Sequence, residues 1–146
     1  MLLPASVLFC CDHNSIRSPM AEAIMKQHVG TKLFVQSAGV KNDKDIDGFA
    51  INVCREWGLE LTKHKVRSFE DLAAWGDDLD SYELIIALSP VSAEIVREHV
   101  KTAATEVEVW DIADPTGSEN HQDALVKYRA VRDQIADRIK TRFEIG

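Results

Sequence analysis

Cys11-Asp12-His13-Asn14-Ser15-Ile16-Arg17-Ser18-Pro19 follows directly on the apolar run Val7-Leu8-Phe9-Cys10. The apolar run predicts a buried strand, the polar stretch a short loop, and Ser18-Pro19 the start of a helix. Serine is a good N-cap, and proline at the first helical position gives up an N–H that would be unpaired anyway. Cys11 and Arg17 therefore face each other across a loop resting on a helix N-terminus. Such a loop aims backbone N–H groups and the positive end of a helix dipole at one point, which makes an anion site. A thiol in that field ionises readily, and the thiolate is the form that attacks. An arginine forks two N–H donors onto the oxygens of a phosphoryl group. The pattern is a nucleophile inside an oxyanion cradle.

Outward from this loop, the chain alternates strands with helices. A helix is expected from Pro19 to about His28, with Met20, Ala23, Ile24 and Gln27 on one face and Gly30 beyond its end. Leu33–Gln36 is a short second strand. Lys41–Asp47 is polar and loop-like, and Phe49–Trp57 is helical with Gly58 as its stop. Ser68 caps a short helix that ends near Gly76. Glu83–Leu88 is a buried strand, and Ser89-Pro90 repeats the serine-cap and proline device before a helix to His99. Val107–Trp110 is the last strand. From about Asn120 a long helix carries Leu125, Tyr128, Val131, Ile135 and Ile139 on one face, with Arg129, Arg132 and Arg138 interleaved. Strands buried on both faces between helices indicate a parallel sheet. The expected fold is α/β, a single doubly wound domain over 1–146 with a four-stranded parallel sheet and helices on both faces. Ligands bind beyond the carboxyl ends of such strands, where Cys11 lies.

The chain has 146 residues, 45% hydrophobic and 28% charged, with a net charge of −7. That balance argues against nucleic acid, which is bound through basic faces. Glu70, Asp71, Asp77, Asp78, Asp80 and Glu83 cluster in sequence and are expected to form a solvated face. No apolar run reaches the roughly 18 residues of a membrane span. Met1-Leu2-Leu3-Pro4 lacks the basic start and apolar core of a secretory signal, so a cytoplasmic location is expected. The three cysteines, Cys10, Cys11 and Cys54, show no disulfide framework and no zinc spacing. Cys10 and Cys54 are expected to be buried structural thiols.

Among the loop residues, Asp12 to Arg17 present backbone amides to the anion. Ser18 both caps the helix and offers a hydroxyl to the thiolate. Asn14 is a loop-shaping residue able to take a left-handed conformation. His13 is expected to face water, with donation to a substrate oxygen as the alternative. His28, His64, His99 and His121 show no metal spacing and are expected at the surface or in packing roles. Asp114-Pro115 opens a turn after the last strand, on the side where ligands bind. A carboxylic acid there can protonate a leaving oxygen and then deprotonate the hydrolytic water. Asp111 is the rival for that role.

The stretch from Val7 to Glu22 resembles the N-terminal signature of the low-molecular-weight protein tyrosine phosphatases, which carry Cys-x5-Arg-Ser/Thr and a late Asp-Pro pair. Gln36-Ser37-Ala38-Gly39 and Leu61-Thr62-Lys63-His64-Lys65-Val66-Arg67 resemble two further segments of that family. The resemblance implies strand order 2-1-3-4 and phosphomonoester hydrolysis through a cysteinyl-phosphate. Cys11, Arg17 and Asp114 are then catalytic, and Asp12, His13, Asn14, Ser15, Ile16, Arg17 and Ser18 bind phosphate. No metal or cofactor is required, because the loop supplies the charge a metal would supply. The expected partners are a phosphorylated protein or small phosphomonoester, and inorganic phosphate or another oxyanion, with no nucleic acid and no membrane.

Several residues depart from the family's pattern. His13 replaces a glycine, Ile16 a second loop cysteine, and Asp12 an apolar residue, while Thr116 and Gly117 stand where aromatic residues follow Asp-Pro. A Cβ at position 13 restricts positive φ angles. Two other readings stand beside phosphatase. One is arsenate reduction with an external thiol, since Ala87-Leu88-Ser89-Pro90 lacks the cysteines of thioredoxin-coupled members. The other is a non-catalytic oxyanion-binding module.

Overall fold

A computed structural model of the chain describes residues 3–145; Met1 and Leu2, read above for a targeting signal, and Gly146 lie outside it. The elements run β1 (Ser6–Cys11), α1 (Arg17–Val29), β2 (Phe34–Gly39), α2 (Gly48–Arg55), α3 (Phe69–Ala74), a 3₁₀ turn (Leu79–Ser81), β3 (Leu84–Ala87), α4 (Pro90–His99), β4 (Glu106–Val109) and α5 (His121–Arg142). All strand pairs are parallel, in the order β2-β1-β3-β4. This is the doubly wound four-stranded sheet expected.

The period-2 alternation of β1 sorts its side chains between two cores. Val7, Phe9 and Cys11 join the core that α1, α2 and α5 cover, while Leu8 and Cys10 join the smaller core with Leu72, Leu79, Ile85 and Val96. The adjacent cysteines therefore point to opposite faces of the sheet. Cys10 is fully buried, and burial, then the neighbouring Cys11, pushes its thiol well above the ordinary range. Burial likewise raises Cys54, on α2, to about 12. Both are structural thiols of the kind expected.

Most helix signals work as read. Ser89 accepts from Ser92 N with Pro90 at the first helical position, and Asn120 accepts from Asp123 N. Ser68 and Asp71 form a capping box on α3, so part of the expected acidic face has a structural use. α1 departs from expectation. It begins at Arg17 with Ile16 as N-cap and no side-chain cap, so Ser18 and Pro19 sit inside the first turn. The Ser18 hydroxyl is turned to Cys11 and Asn14 instead, and its N–H to the Cys11 sulfur. Gln27 is exposed and Ala21 and Met25 are buried, because α1 packs on both the sheet and α5. α5 adds a buried cation: Arg132 donates to Val53 O at 2.8 Å and pairs with Glu56 at 2.6 Å, beneath the Trp57 ring.

Candidate active site

The carboxyl ends of β1, β2 and β3 converge on the loop 12–16. Parallel pairing sets Cys11 beside Gly39 and Cys10 beside Ala87. Beyond the strands, Val40 N donates to Cys11 O at 3.1 Å, Lys41 N to Asp12 O at 3.0 Å, and Asp47 N to Ser15 O at 3.0 Å. The loop is thus pinned to the chain that follows β2. Gly39 permits this approach: a Cβ there would stand 2.6 Å from Asn14 N and 2.7 Å from the His13 carbonyl carbon. No side chain fits between the two backbones.

The left-handed residue of the loop is Asn14, with φ 56°, and not His13. Asparagine tolerates that conformation, so the Cβ at position 13 brings no backbone strain. Asn14 is fully buried and all its amide groups are engaged. Its Nδ2 donates to Ser18 Oγ at 2.9 Å and Ser37 Oγ at 3.0 Å; its Oδ1 accepts from Arg67 N at 3.0 Å and pairs with His64 Nε2 at 2.9 Å. An amide oxygen only accepts, so His64 carries its proton on Nε2. His64 is half-buried, and burial is the largest of the influences that lower its pKa below the ordinary imidazole value. Sequence reading placed His64 among surface or packing residues. The only sequence signal for its role was its place in the segment resembling a family loop.

Cys11 Sγ lies 2.9 Å from Ser18 Oγ and 3.4 Å from Ser18 N, so a hydroxyl and a first-turn amide both address the sulfur. Arg17, buried at the start of α1, donates from Nη1 to Ile112 O at 3.0 Å. A cavity of about 400 Å³ is lined by Cys11, His13, Ser15, Ile16, Arg17, Lys44, Asp45, Asp47, Asp114 and Thr116. The chain after β4 thus brings Asp114 to the same cavity as the thiol. Asp111 lies elsewhere, along a hollow beside Pro90, Arg97 and Val109. Burial raises the Asp114 carboxyl, but the Thr116 hydrogen bonds and the charges of Arg17 and His13 outweigh it and hold it below its ordinary value.

His13 is not simply turned to water. Its Nδ1 lies 2.7 Å from Asp43 Oδ1, a bond that is the first cause of a lowered Asp43 pKa and that ties the loop to the segment between β2 and α2. Asp12 stands outside the cavity lining and turns its carboxylate to Ser89 and Arg17. No aromatic side chain lines the cavity. All three cysteines are free, and Cys10 and Cys54 are buried away from it. No group of His, Cys, Asp and Glu suited to a metal ion occurs among the described residues, and no helix there is long and apolar enough to cross a membrane.

Residues 6–144 match the family model described as low molecular weight phosphotyrosine protein phosphatase. The chain belongs to that family. An arsenate reductase of Bacillus licheniformis is 30% identical over 145 residues, 97% of this chain and 96% of the relative. The arsenate reductase structure from Archaeoglobus fulgidus superposes with a TM-score of 0.73 at 28% identity, covering 94% of this chain and 98% of the other. The tyrosine phosphatase Wzb from Escherichia coli K30, in complex with sulphate, gives 0.78 at 22% identity, covering 97% and 98%. Family membership supports a cysteine-based enzyme, and its relatives include both phosphatases and arsenate reductases.

Proposed function

We propose that the protein hydrolyses phosphomonoesters in two steps through a cysteinyl-phosphate on Cys11. The observation that carries this reading is the shared cavity in which Cys11, Arg17 and Asp114 meet, with Ser18 bonded to the sulfur. The Cys11 thiolate attacks phosphorus, and a new S–P bond forms as the P–O bond to the leaving group breaks. Loop amides from Asp12 to Arg17, with the Arg17 guanidinium, hold the equatorial oxygens. Asp114 gives its proton to the departing oxygen. A dianionic substrate beside this carboxyl opposes its ionisation, so Asp114 takes a proton from solvent as the substrate binds. Water then attacks phosphorus, Asp114 takes the proton, and the S–P bond breaks to return the thiolate and release phosphate. Asn14 and His64 shape the loop, and the Asp12 amide serves the anion while its side chain lies outside the cavity lining.

The lining supports a substrate other than a tightly held phosphotyrosine. Thr116 and Gly117 follow Asp114-Pro115, and Ile16 is the one large apolar lining residue. Aromatic walls would add about 0.5–1.5 kcal/mol for a phenyl ring, and they are missing from this lining. The carboxylates of Asp45 and Asp47 at the cavity favour neutral or basic flanking sequence over acidic.

The arsenate reductase relatives support a second reading, reduction of arsenate bound in the same cradle. The two buried cysteines offer no thiol to resolve Cys11 within the chain, so that reaction needs an external thiol as reductant. Hydrolysis of p-nitrophenyl phosphate and arsenate-dependent consumption of added thiol, assayed side by side, separate the two. Hydrolysis without arsenate-dependent thiol loss is the expected result. The converse would establish the reductase.

A further inference from the structure

β1 and β3 are neighbours in register, Cys10 beside Ala87, so the residues two positions beyond each pair, Asp12 and Ser89, also meet. Ser89 Oγ donates to Asp12 Oδ1 at 2.6 Å. The other carboxylate oxygen, Asp12 Oδ2, lies 3.5 Å from Arg17 Nη2. Ser89 is nearly fully buried and held in turn by Ser92, whose N donates to Ser89 Oγ at 3.2 Å and whose hydroxyl lies at 2.7 Å. On its other arm Arg17 donates to Ile112 O.

We propose that Asp12, fixed by Ser89, is a positioning residue that aims the Arg17 guanidinium into the oxyanion cavity. This rests on the phosphatase reading and deepens it by assigning a role to a side chain that lies outside the cavity lining.

The physical case rests on cost and geometry. A buried guanidinium must be paired, and a flexible arginine has many rotamers to lose. Two anchors on different nitrogens, one carbonyl and one carboxylate, define both the position and the plane of the fork. The remaining N–H groups then meet an oxyanion without rearrangement. The carboxylate stands at the back of the cation and is aligned by a hydroxyl that belongs to the cap of α4. A carboxylate so near an anion site also repels the bound anion, so its presence works against ground-state affinity. The gain must therefore appear where geometry matters most, in the five-coordinate transition state.

The difference between a tetrahedral and a five-coordinate anion supplies the test. Protection of Cys11 from iodoacetate measures binding of phosphate and of vanadate without requiring turnover. Vanadate adds to the thiolate as a five-coordinate anion, whereas phosphate stays tetrahedral. Asp12→Asn should weaken vanadate protection about tenfold, the scale of a displaced donor, and change phosphate protection less than twofold. Ser89→Ala should shift vanadate protection in the same direction, and Ser89→Thr should restore it. In an Arg17→Lys background, Asp12→Asn should add less than a further twofold, because the group it positions is gone. Equal weakening of both anions, no weakening of vanadate, or an undiminished effect in Arg17→Lys would each overturn the assignment. Ser89→Ala and Ser89→Thr decide the matter if Asp12→Asn does not fold. If the wild type hydrolyses no phosphomonoester yet shows this pattern, the phosphatase reading fails and the positioning role stands.

Discussion

Ser18 Oγ lies 2.9 Å from Cys11 Sγ and receives Asn14 Nδ2 from its other side, also at 2.9 Å. Because the amide nitrogen can only donate, the hydroxyl accepts from Asn14 and is left with its own proton to offer the sulfur. The sulfur is thus hydrogen-bonded to a group that a neighbouring side chain holds in place. Hydrogen bonds to an ionised partner are the stronger kind. Ser18→Ala is expected to slow iodoacetate labelling of Cys11 at neutral pH. It should also lower kcat by about tenfold, the worth of one charged hydrogen bond. Unchanged labelling and turnover would show that the sulfur does not use this hydroxyl.

Asp114 is ionised more readily than an ordinary carboxyl, since the Thr116 bonds and nearby cations outweigh its burial. Its protonated form is therefore confined to acidic pH in the free enzyme. The kcat/KM profile should fall as pH rises through the acidic range, and Asp114→Asn should flatten that limb. The same variant should slow alkyl phosphates by about 10²-fold and lose less as the leaving group becomes more acidic. Equal losses across leaving groups would point to a structural role. A larger loss in Asp111→Asn would move the acid to that residue.

The lowered His64 pKa makes folding stability depend on pH. A folded value below the unfolded one of about 6.5 means that the unfolded chain binds the proton more tightly. The contribution of neutral His64 is complete above that unfolded value and is lost as pH falls towards the folded one. Denaturant unfolding at pH 7.5 and 5.5 should show a drop for the wild type that is smaller in His64→Gln. An equal drop in both would mean that other groups carry the dependence.

Gly39→Ala would press a Cβ into the backbone of His13 and Asn14, neither of which can swing aside. A loss of about 1–3 kcal/mol in stability is expected, typical of overpacking at a fixed contact. Turnover should fall more than tenfold as the loop is displaced. Denaturant unfolding and p-nitrophenyl phosphate assays check both, and a fully active, equally stable Gly39→Ala would contradict the close approach.

The fold was legible where signals are local. The apolar run Val7–Cys10, the serine-proline start at Ser89-Pro90 and the helix from about Asn120 needed only neighbours in sequence. The Asn14 conformation was readable for the same reason. The start of α1 was misread because Ser18 carries a good capping side chain whose hydroxyl serves a sulfur seven residues back. Long-range partners left no local trace: His64 meets Asn14 across fifty residues, and Ser89 meets Asp12 across a strand pair. Asp12 read as one of the loop residues that bind phosphate, whereas the pairing of β1 with β3 draws its side chain to Ser89 and Arg17. The need for glycine at position 39 comes from the backbone of His13 and Asn14, more than twenty residues away in sequence.

The covalent intermediate on Cys11 is the most direct test of the account. Wild-type protein should be mixed with p-nitrophenyl phosphate, quenched in acid within a turnover, and digested for mass spectrometry. One phosphoryl group is expected on the peptide carrying Cys11. Cys11→Ala should carry none and should not turn over. Turnover retained by Cys11→Ala, or a phosphoryl group on another residue of the active wild type, would contradict the mechanism.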